Sequence, residues 1–365
     1  MLFKGRILIV PPASPGSKGD EGMVRGALEL LSGLTHVVIL NPDSSPQWAD
    51  VLRGYNFQEL RDAVYNLKVE FNEHDILLIL GADVIDGTCG LQPSVARLDL
   101  ARYALSAGAK VIIACSFRSN VDVSILEKIR ALRSATWLLR DVESLRFFEQ
   151  QAGFPGRYFP DFSFFAGQIC SEAVSDFIGT LKAERLLIGI NFSEHAFRSF
   201  YDEHSLEKRR EYITTITMSI TDVYPDAQYI LVSHDSRQWP NWFSDTFYCI
   251  EARHILQKEG FCTAMMPPNL NYGEVLCLLK RFGLLVTGRM HLAMAAFRSG
   301  VTVLITMGIG KSYSSVDKMK GFAKTFLGSE EYVITDLRTL KGHLKMYKDI
   351  VLNRRMLNTL VWREK

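Results

Sequence analysis

A short segment of the chain places three kinds of anion-binding group next to one another. An apolar run over Leu284–Thr287 predicts a buried strand, which passes through Gly288 into a helix whose first turn holds Arg289 and His291. Backbone N–H groups at the helix N-terminus, a guanidinium fork and an imidazole would converge there. We therefore predict a phosphate or carboxylate site over Gly288, Arg289, Met290 and His291; the alternative for His291 is a structural histidine.

A glycine-rich loop, residues 11–22, follows the first predicted strand and leads into a helix. Glycines let the backbone approach a ligand closely. Asp20 and Glu21 could complement the helix dipole, with Ser17 and Asp20 forming a capping box. Alternatively, Asp20 is a base or a hydrogen-bond acceptor for a substrate hydroxyl. The loop lacks the GxGxxG pattern, which excludes a dinucleotide fingerprint.

Two other loops carry weaker indications. Gly81 and Asp83 follow the predicted strand over Ile76–Leu80, either as part of a substrate loop or as a plain turn capped by Asp83. Lys311 lies in a segment that resembles a phosphate-binding loop, but Ile305 stands where the first glycine of that motif is required. We therefore interpret Lys311 as an exposed loop cation.

Apolar runs alternate with segments of helical period, and this alternation predicts how the loops are positioned. Runs that are apolar throughout are typical of strands buried on both faces of a parallel sheet. The predicted strands of the first half are Ile7–Val10, Val37–Leu40, Ile76–Leu80, Lys110–Cys115, Thr136–Leu139 and a weaker Arg157–Pro160. Those of the second half are Leu187–Asn191, Tyr229–Ser233, Thr263–Met265, Leu284–Thr287, Val303–Thr306 and Tyr332–Ile334.

The helices predicted between these strands complete a repeating strand-helix pattern. They include Met23–Leu31, Val95–Ala107, Val142–Ala152, Leu206–Ile220, Phe247–Glu259, Tyr272–Phe282, Leu292–Arg298 and Val316–Leu327. The pattern predicts an α/β fold of two Rossmann-like domains, 1–172 and 173–340, which face a central cleft. A C-terminal helix over 341–365 would brace them. Loops at the carboxyl ends of the strands are where a ligand is expected.

Composition narrows the class of protein. The chain of 365 residues is 47% apolar and 22% charged and has a formal net charge of +2. These values exclude a disordered tail, a collagen or a coiled coil, and they argue against a nucleic-acid binder. Residues 1–180 carry 17 basic and 21 acidic side chains, and the remainder carries 25 and 19. The basic half could meet an anion, or its charges could be solvated surface.

The cysteines and the apolar runs predict a compartment. None of the six cysteines forms a CxxC pair, and several lie in apolar runs, so we expect free thiols in a reducing environment. No apolar run is long enough for a signal peptide core or a membrane span. We therefore expect a cytoplasmic protein. No cluster has metal-ligand spacing, so we predict no structural metal.

Taken in order, these loops resemble those of the polysaccharide pyruvyl transferase family. Gly16, Gly19, Asp20 and Glu21 match its G-N-x-G-D-E loop, with Ser17 in place of the usual asparagine. Gly81 follows the third strand as in the family, Arg140 to Ser144 reproduce an R-D-x-x-S segment, and Asp161 follows a short strand. In the second half, Ser233-His234-Asp235 stands where the family often has P-H-D, Gly288 to His291 carry its R-x-H signature, and Asp317-Lys318 resembles its D-x-K segment.

The resemblance implies a GT-B-like fold and the transfer of the enolpyruvyl unit of phosphoenolpyruvate onto sugar hydroxyls. The donor would lie on the C-terminal domain, where Arg289, His291 and Lys318 supply cations. Arg198 is a further donor candidate, although the family often carries this arginine nearer the strand. His291 would bind phosphate and act as an acid. The product would be a pyruvate ketal in the biosynthesis of exopolysaccharide or another cell-surface glycan.

The acceptor side follows from the same resemblance. Gly19, Asp20, Gly81 and Asp83 would bind a sugar or a lipid-linked saccharide, with Asp20 or Glu21 as the base. His234 could serve the acceptor hydroxyl instead, or it could be a loop histidine bonded to Asp235. Trp239 and Trp242 could stack on a sugar ring or make an aromatic contact between domains.

Several alternatives stay open at this point. A GT-B glycosyltransferase using a nucleotide sugar shares the architecture, and a non-catalytic glycan-binding relative would keep the fold. No tightly bound cofactor is expected besides phosphoenolpyruvate as co-substrate, and a Mg²⁺ ion held by the donor phosphate stays open. The basic final helix, with Lys341, Lys345 and Lys348 among its cations, is either a solvated face or a peripheral contact with anionic lipid.

Overall fold

The computed structural model describes residues 5–33, 36–67, 69–237, 242–310 and 316–353. The chain divides into two compact units, each built on one parallel β-sheet. The first comprises the residues up to Gly16 together with Asp20–Gly167, and the second comprises Ser17–Gly19 and the residues from Gln168 onward. The units meet after Gly167, where the predicted boundary lies after residue 172, and the short segment Ser17–Gly19 groups with the second unit.

The sheet of the first unit has the strand order β3-β2-β1-β4-β5-β6-β7, with all neighbours parallel. Its strands are β1 (Ile7–Val10), β2 (Val37–Leu40), β3 (Gln58–Leu60), β4 (Ile76–Ala82), β5 (Lys110–Cys115), β6 (Thr136–Leu139) and β7 (Arg157–Tyr158). Its helices are α1 (Lys18–Leu30), whose first two residues belong to the second unit, α2 (Trp48–Val51), α3 (Leu91–Ser106), α4 (Val123–Ala131) and α5 (Val142–Ala152), and a 3-10 turn covers Phe162–Phe165.

Burial explains why the central strands are apolar throughout. In β1, Leu8 and Val10 pack into the hydrophobic cluster on one side of the sheet, and Ile7 and Ile9 pack into a separate cluster. Successive side chains of a strand point to opposite faces, so a strand covered on both faces needs an apolar residue at every position. The prediction of buried parallel strands is therefore confirmed here.

The sheet of the second unit has the order β10-β9-β8-β11-β12-β13 and is also fully parallel. Its strands are β8 (Leu187–Asn191), β9 (Gln228–Leu231), β10 (Thr263–Met265), β11 (Leu284–Thr287), β12 (Thr302–Thr306) and β13 (Val333–Ile334). Its helices are α6 (Glu172–Gly179), α7 (Glu194–Phe200), α8 (Leu206–Val223), α9 (Asp245–Lys258), α10 (Tyr272–Leu279), α11 (Met290–Arg298), α12 (Val316–Phe322) and α13 (Leu340–Met346), with a π-helical turn at Ala323–Leu327 and 3-10 turns at Glu330–Tyr332 and Leu337–Thr339.

The fold class is confirmed as two parallel-sheet α/β domains, but some boundaries differ from the prediction. Strand β3 was missed because its three side chains are exposed or half-buried, so that it lacks an apolar run. Strand β9 ends at Leu231 rather than Ser233, and α9 begins at Asp245 rather than Phe247. Helix α11 begins at Met290, which places His291 inside its first turn.

The described part of the predicted C-terminal helix packs within the second unit. Helix α13 lies against α8, where the Tyr224 hydroxyl donates to the Leu344 carbonyl at 3.2 Å and Lys341 pairs with Asp222 at 2.7 Å. Residues 354–365 of the predicted bracing helix lie outside the described residues. None of the helices in the described part is long and apolar enough to cross a membrane.

The prediction that all cysteines are free thiols is wrong for one pair. Cys170 and Cys277, 107 residues apart, form a disulfide within the second unit. The disulfide joins the segment before α6 to α10, and the Ile169 N–H donates to the Gly273 carbonyl beside it. Pairing over such a separation depends on the fold, which explains why the spacing of the cysteines did not reveal it.

Candidate functional site

The candidate site is built where β8 and β11 end, next to each other in the second sheet. Asn191 and Thr287 are partners in the β8–β11 register and are both fully buried. The Thr287 hydroxyl donates to the Asn191 side-chain carbonyl at 2.8 Å and accepts from the Arg289 backbone N–H at 2.9 Å. Because the strands are parallel, the loops that follow them leave the sheet at the same edge.

Asp245 is the residue that joins these loops. It is fully buried at the first position of α9. Its carboxylate accepts from the Asn191 side-chain amide at 3.0 Å and from the backbone N–H groups of His234 and Asp235, both at 3.2 Å. It also accepts from Arg289, whose Nη2 lies 2.6 Å from Oδ1. Asp245 therefore ties the loops after β8, β9 and β11 together.

Arg289 is held between two carboxylates that the sequence analysis did not identify as its partners. Its side chain is 14% exposed, and besides Asp245 its Nη1 lies 3.3 Å from the Asp235 carboxylate. Asp235 also pairs with Arg237 at 2.8 Å. Although burial by itself raises the pKa of Asp235, the guanidinium groups of Arg289 and Arg237 hold that pKa well below its usual range. Asp235 is therefore ionised and fixes the guanidinium of Arg289 in one orientation.

The predicted junction from strand through glycine to helix is present. A side-chain Cβ at Gly288 would lie 2.5 Å from the Ala196 Cβ and 2.8 Å from the Ser193 hydroxyl, so close packing requires glycine there. The Ser193 hydroxyl donates to the Gly288 carbonyl at 3.1 Å. Met290 is buried.

His291 lies in the first turn of α11, and its ring is packed against the backbone of Gly19. A Cβ at Gly19 would fall 2.5 Å from Nδ1 of His291, a distance that real Cβ atoms do not show. Gly19 belongs to the second unit, as do its neighbours Ser17 and Lys18. The family resemblance implied that Gly19 binds the acceptor, but Gly19 contacts a predicted donor residue, His291.

His234 is buried at the same edge, with 2% of its surface exposed. Its backbone carbonyl accepts from the Lys18 N–H at 3.0 Å, and neither ring nitrogen has a hydrogen-bond partner among the described residues. The alternative that His234 is bonded to Asp235 through its ring is therefore wrong. Burial, together with the charges of Arg289, His291 and Lys18, lowers the pKa of His234 well below its usual value, so the imidazole is neutral.

Arg198 belongs to a separate cluster on α7. It donates to Glu194 at 2.8 Å and lies over the Trp242 ring at 4.6 Å from the centroid. Glu194 is fully buried and also pairs with Arg209 at 2.7 Å. These contacts favour a structural role over the predicted donor role of Arg198. The Trp242 ring contacts Arg198 and also the His195 ring, whose centroid lies 4.6 Å from its own. These contacts favour a structural role for Trp242 over stacking on a sugar.

Lys318, the last donor candidate, is half-buried in the first turn of α12. Helix α12 is the next helix after β12, the strand beside β11 in the second sheet. Lys311 and Trp239 lie outside the described residues.

The acceptor candidates of the first unit separate into two groups. Asp20 and Glu21 are buried in the first turn of α1, and Glu21 forms an ion pair of 2.5 Å with Arg25 one turn later. Because Arg25 engages the Glu21 carboxylate, Asp20 is the preferred candidate for the base. Gly81 lies inside β4, not after it, and a Cβ there would be 2.5 Å from Ile85. Gly81 is thus a packing glycine; the half-buried Asp83 follows the strand.

The R-D-x-x-S segment is explained by local structure. Asp141 is the N-cap of α5 and accepts from the Ser144 N–H at 2.8 Å and from its hydroxyl at 2.7 Å. Arg140 pairs with Asp161 at 3.1 Å, and both side chains are buried. The capping interaction of Asp141 is of a type that stabilises a helix by about 1 kcal/mol.

Among the described residues, no group of three histidine, cysteine or acidic side chains could hold a metal ion.

The two parallel sheets with their helices make an α/β protein of two Rossmann-like domains, with a basic strand-to-helix junction on the second. Comparison with solved structures shows that this fold is of the GT-B kind. Similar structures include a Listeria monocytogenes protein assigned as a UDP-N-acetylglucosamine 2-epimerase (TM-score 0.54, 11% identity, 96% of this chain and 90% of that chain). S. aureus MnaA with UDP is also similar (TM-score 0.53, 11% identity, 94% of this chain and 88% of that chain). A glycosyltransferase from Rickettsia africae is similar as well (TM-score 0.51, 9% identity, 99% of this chain and 99% of that chain). At these identities the likeness concerns the fold alone.

The family follows from the sequence. The family described as polysaccharide pyruvyl transferase matches residues 18–306. The chain belongs to this family, which confirms the resemblance found in its loops. No curated protein sequence matches the chain.

Proposed function

We propose that the protein transfers the enolpyruvyl unit of phosphoenolpyruvate onto two hydroxyls of a sugar, forming a pyruvate ketal on a precursor of exopolysaccharide or another cell-surface glycan. The observation that carries the proposal is the junction Gly288–His291, in which Arg289 is fixed by Asp235 and Asp245 beside a neutral His234. Family membership supports the same reaction.

The donor has a phosphate and a carboxylate, and both need fixed hydrogen-bond donors. Arg289 has five N–H donors: Asp245 engages Nε and one on Nη2, and the Asp235 carboxylate lies 3.3 Å from Nη1. The backbone N–H groups at the start of α11 and the imidazole of His291 add to this site. Lys318 contributes a further positive charge. The two carboxylates reduce the net charge of the site but hold the guanidinium in place, which favours a defined orientation of the donor.

The proposed reaction needs no redox partner. An acid protonates the methylene carbon of phosphoenolpyruvate, which becomes a methyl group and leaves an oxocarbenium-like carbon. A sugar hydroxyl adds to that carbon and gives its proton to a base. The bond from carbon to the phosphate oxygen then breaks, phosphate leaves, and a second hydroxyl closes the ketal while its proton passes to the phosphate.

His291 is the proposed acid, and Asp20, which directly follows Gly19 in the chain, is the proposed base. His234 is the alternative base, because a neutral imidazole can accept a proton. Each such proton transfer contributes about 10² to 10⁴ in rate. We propose no tightly bound cofactor; if a Mg²⁺ ion accompanies the donor phosphate, EDTA will slow the reaction and Mg²⁺ will restore it.

The test is to incubate the protein with phosphoenolpyruvate and a glycan that carries a free diol, and to measure inorganic phosphate. Release of phosphate that requires the glycan supports the proposal. Release of UDP from a UDP-sugar, without phosphate from phosphoenolpyruvate, would instead indicate a glycosyltransferase. If neither product forms with a panel of glycans that the protein binds, a non-catalytic glycan-binding relative is the better description.

A further inference from the structure

The segment Ser17–Gly19 is attached to the candidate donor site at several points. Ser17 forms an antiparallel β-bridge with Asp235, the carboxylate partner of Arg289. The Lys18 backbone N–H donates to the His234 carbonyl at 3.0 Å, and its ammonium group donates to the carbonyls of Pro268, at 3.0 Å, and Leu270. These bonds fix both the backbone and the side chain of the segment.

Gly19 touches the imidazole of His291 directly. A Cβ built on Gly19 would lie 2.5 Å from Nδ1, 2.6 Å from Cβ and 2.7 Å from Cγ of His291. The backbone of Gly19 is helical and not left-handed, so its conformation would accept an alanine. The lack of room for a Cβ atom beside His291 is therefore the reason for glycine at this position.

We propose that Gly19 is a positioning residue of the donor site, and that its backbone, anchored through Ser17 and Lys18, sets the orientation of the His291 ring for donor binding and proton transfer. This inference rests on the proposed function. It moves Gly19 from the acceptor, where its sequence context placed it, to the donor.

The orientation of the His291 ring matters because proton transfer requires a defined geometry between the acid and the substrate. The imidazole of His291 is limited on the Nδ1 side by the Gly19 backbone, which reduces the rotamers available to the ring. A misplacement of a catalytic group by about 1 Å can lower the rate by about 10²-fold. A methyl group at position 19 forces a shift of this order.

The test compares Gly19→Ala with Gly179→Ala, a helical glycine of α6 whose added Cβ would meet nothing within 4 Å. We expect Gly19→Ala to fold, to lower kcat for phosphate release by about 10²-fold, and to change KM for phosphoenolpyruvate much less. Gly179→Ala should match the wild type. In a His291→Ala background, Gly19→Ala should have no further effect. The inference would be overturned if kcat of Gly19→Ala lay within twofold of the wild type. It would also be overturned if Gly19→Ala lowered kcat by the same factor in the His291→Ala background as in the wild type.

A second readout does not depend on the reaction. In ¹⁵N-histidine spectra, Gly19→Ala should shift the ring resonances assigned to His291 through the His291→Ala variant. Unshifted resonances contradict the positioning role even if the protein transfers pyruvyl groups. Shifted resonances in a protein that releases no phosphate support the contact and reject the proposed function instead.

If Gly19→Ala does not fold, Lys18→Met provides the same test without added bulk. It removes the bonds from the ammonium group to Pro268 and Leu270 and keeps an unbranched side chain that is one atom shorter. We expect shifted His291 resonances and a lower kcat. If neither the His291 resonances nor kcat changes in Lys18→Met, the proposed anchoring is wrong.

Discussion

Arg289 and Asp245 form a buried ion pair in which Nη2 lies 2.6 Å from Oδ1, and the same carboxylate accepts from two backbone N–H groups of the loop after β9. Asp245→Asn removes the charge and leaves a buried guanidinium with one carboxylate fewer. We expect the free energy of unfolding to fall by about 3–5 kcal/mol, and phosphate release to be lost with it. Urea unfolding and the phosphate assay measure these two quantities.

A matched control for this substitution lies on the surface of the same unit. Asp222 pairs with Lys341 at 2.7 Å, and both side chains are 47% exposed. Asp222→Asn should change the free energy of unfolding by no more than about 1 kcal/mol. Equal effects of the two substitutions would contradict the central role given to Asp245.

Gly288→Ala tests the strand-to-helix junction. The new Cβ would lie 2.5 Å from the Ala196 Cβ, and overpacking of this kind costs about 1–3 kcal/mol. In contrast, Gly342→Ala in α13 meets nothing within 4 Å and should leave stability unchanged or raise it by about 0.5–1 kcal/mol. Thermal denaturation compares the two variants; a stable Gly288→Ala with wild-type activity would show that the junction tolerates a side chain.

His234 makes stability depend on pH. In the unfolded chain its imidazole takes up a proton near pH 6.5, whereas in the folded protein its lowered pKa keeps it neutral. The unfolded state then binds more protons, so the free energy of unfolding falls by about 1.4 kcal/mol for each pH unit below 6.5, down to the folded pKa. His234→Gln should lower this slope in urea titrations between pH 5 and 8.

The exposed His254 on α9 provides a histidine-to-glutamine substitution, His254→Gln, as the control for effects of the exchange itself. An unchanged slope in His234→Gln would show that folding does not lower the pKa of His234. That result would also remove the support for a neutral His234 as the alternative base.

The disulfide between Cys170 and Cys277 closes a long loop within the second unit. Its replacement by two serines should lower the free energy of unfolding by about 2–4 kcal/mol, because the cross-link restricts the unfolded chain. Reducing agent should lower the Tm of the wild type and leave that of the double variant unchanged. Cys262→Ser, at a half-buried thiol, serves as the control. Detection of both cysteines as thiols in an unreduced digest would contradict this pairing.

The fold could be predicted from the sequence largely because its sheets are buried on both faces. The strands Ile7–Val10 and Leu284–Thr287 are fully buried. The first consists of four consecutive apolar residues, and the second of three apolar residues followed by threonine. Strand β3 gave no such run because none of its side chains is fully buried. The hydrophobic pattern thus predicts strands that contain an apolar run, and β3 was missed because it has none.

The candidate site was predictable only where its residues are close in sequence. Gly288, Arg289 and His291 form one local motif at a strand-to-helix junction. Asp245 precedes Arg289 by 44 residues and meets it through the order of the strands, so no local pattern indicates the pair. The contact between Gly19 and His291 is likewise a product of the fold rather than of sequence spacing.

Mass spectrometry of the glycan, after incubation with phosphoenolpyruvate and either the wild-type protein or Arg289→Ala, detects the proposed transfer itself. We expect the wild type to add the mass of one pyruvate less one water, with one phosphate released per glycan modified. Arg289→Ala should give no such product while it still binds the glycan. A glycan of unchanged mass in a reaction that consumes phosphoenolpyruvate, or a full yield of ketal from Arg289→Ala, would contradict the account.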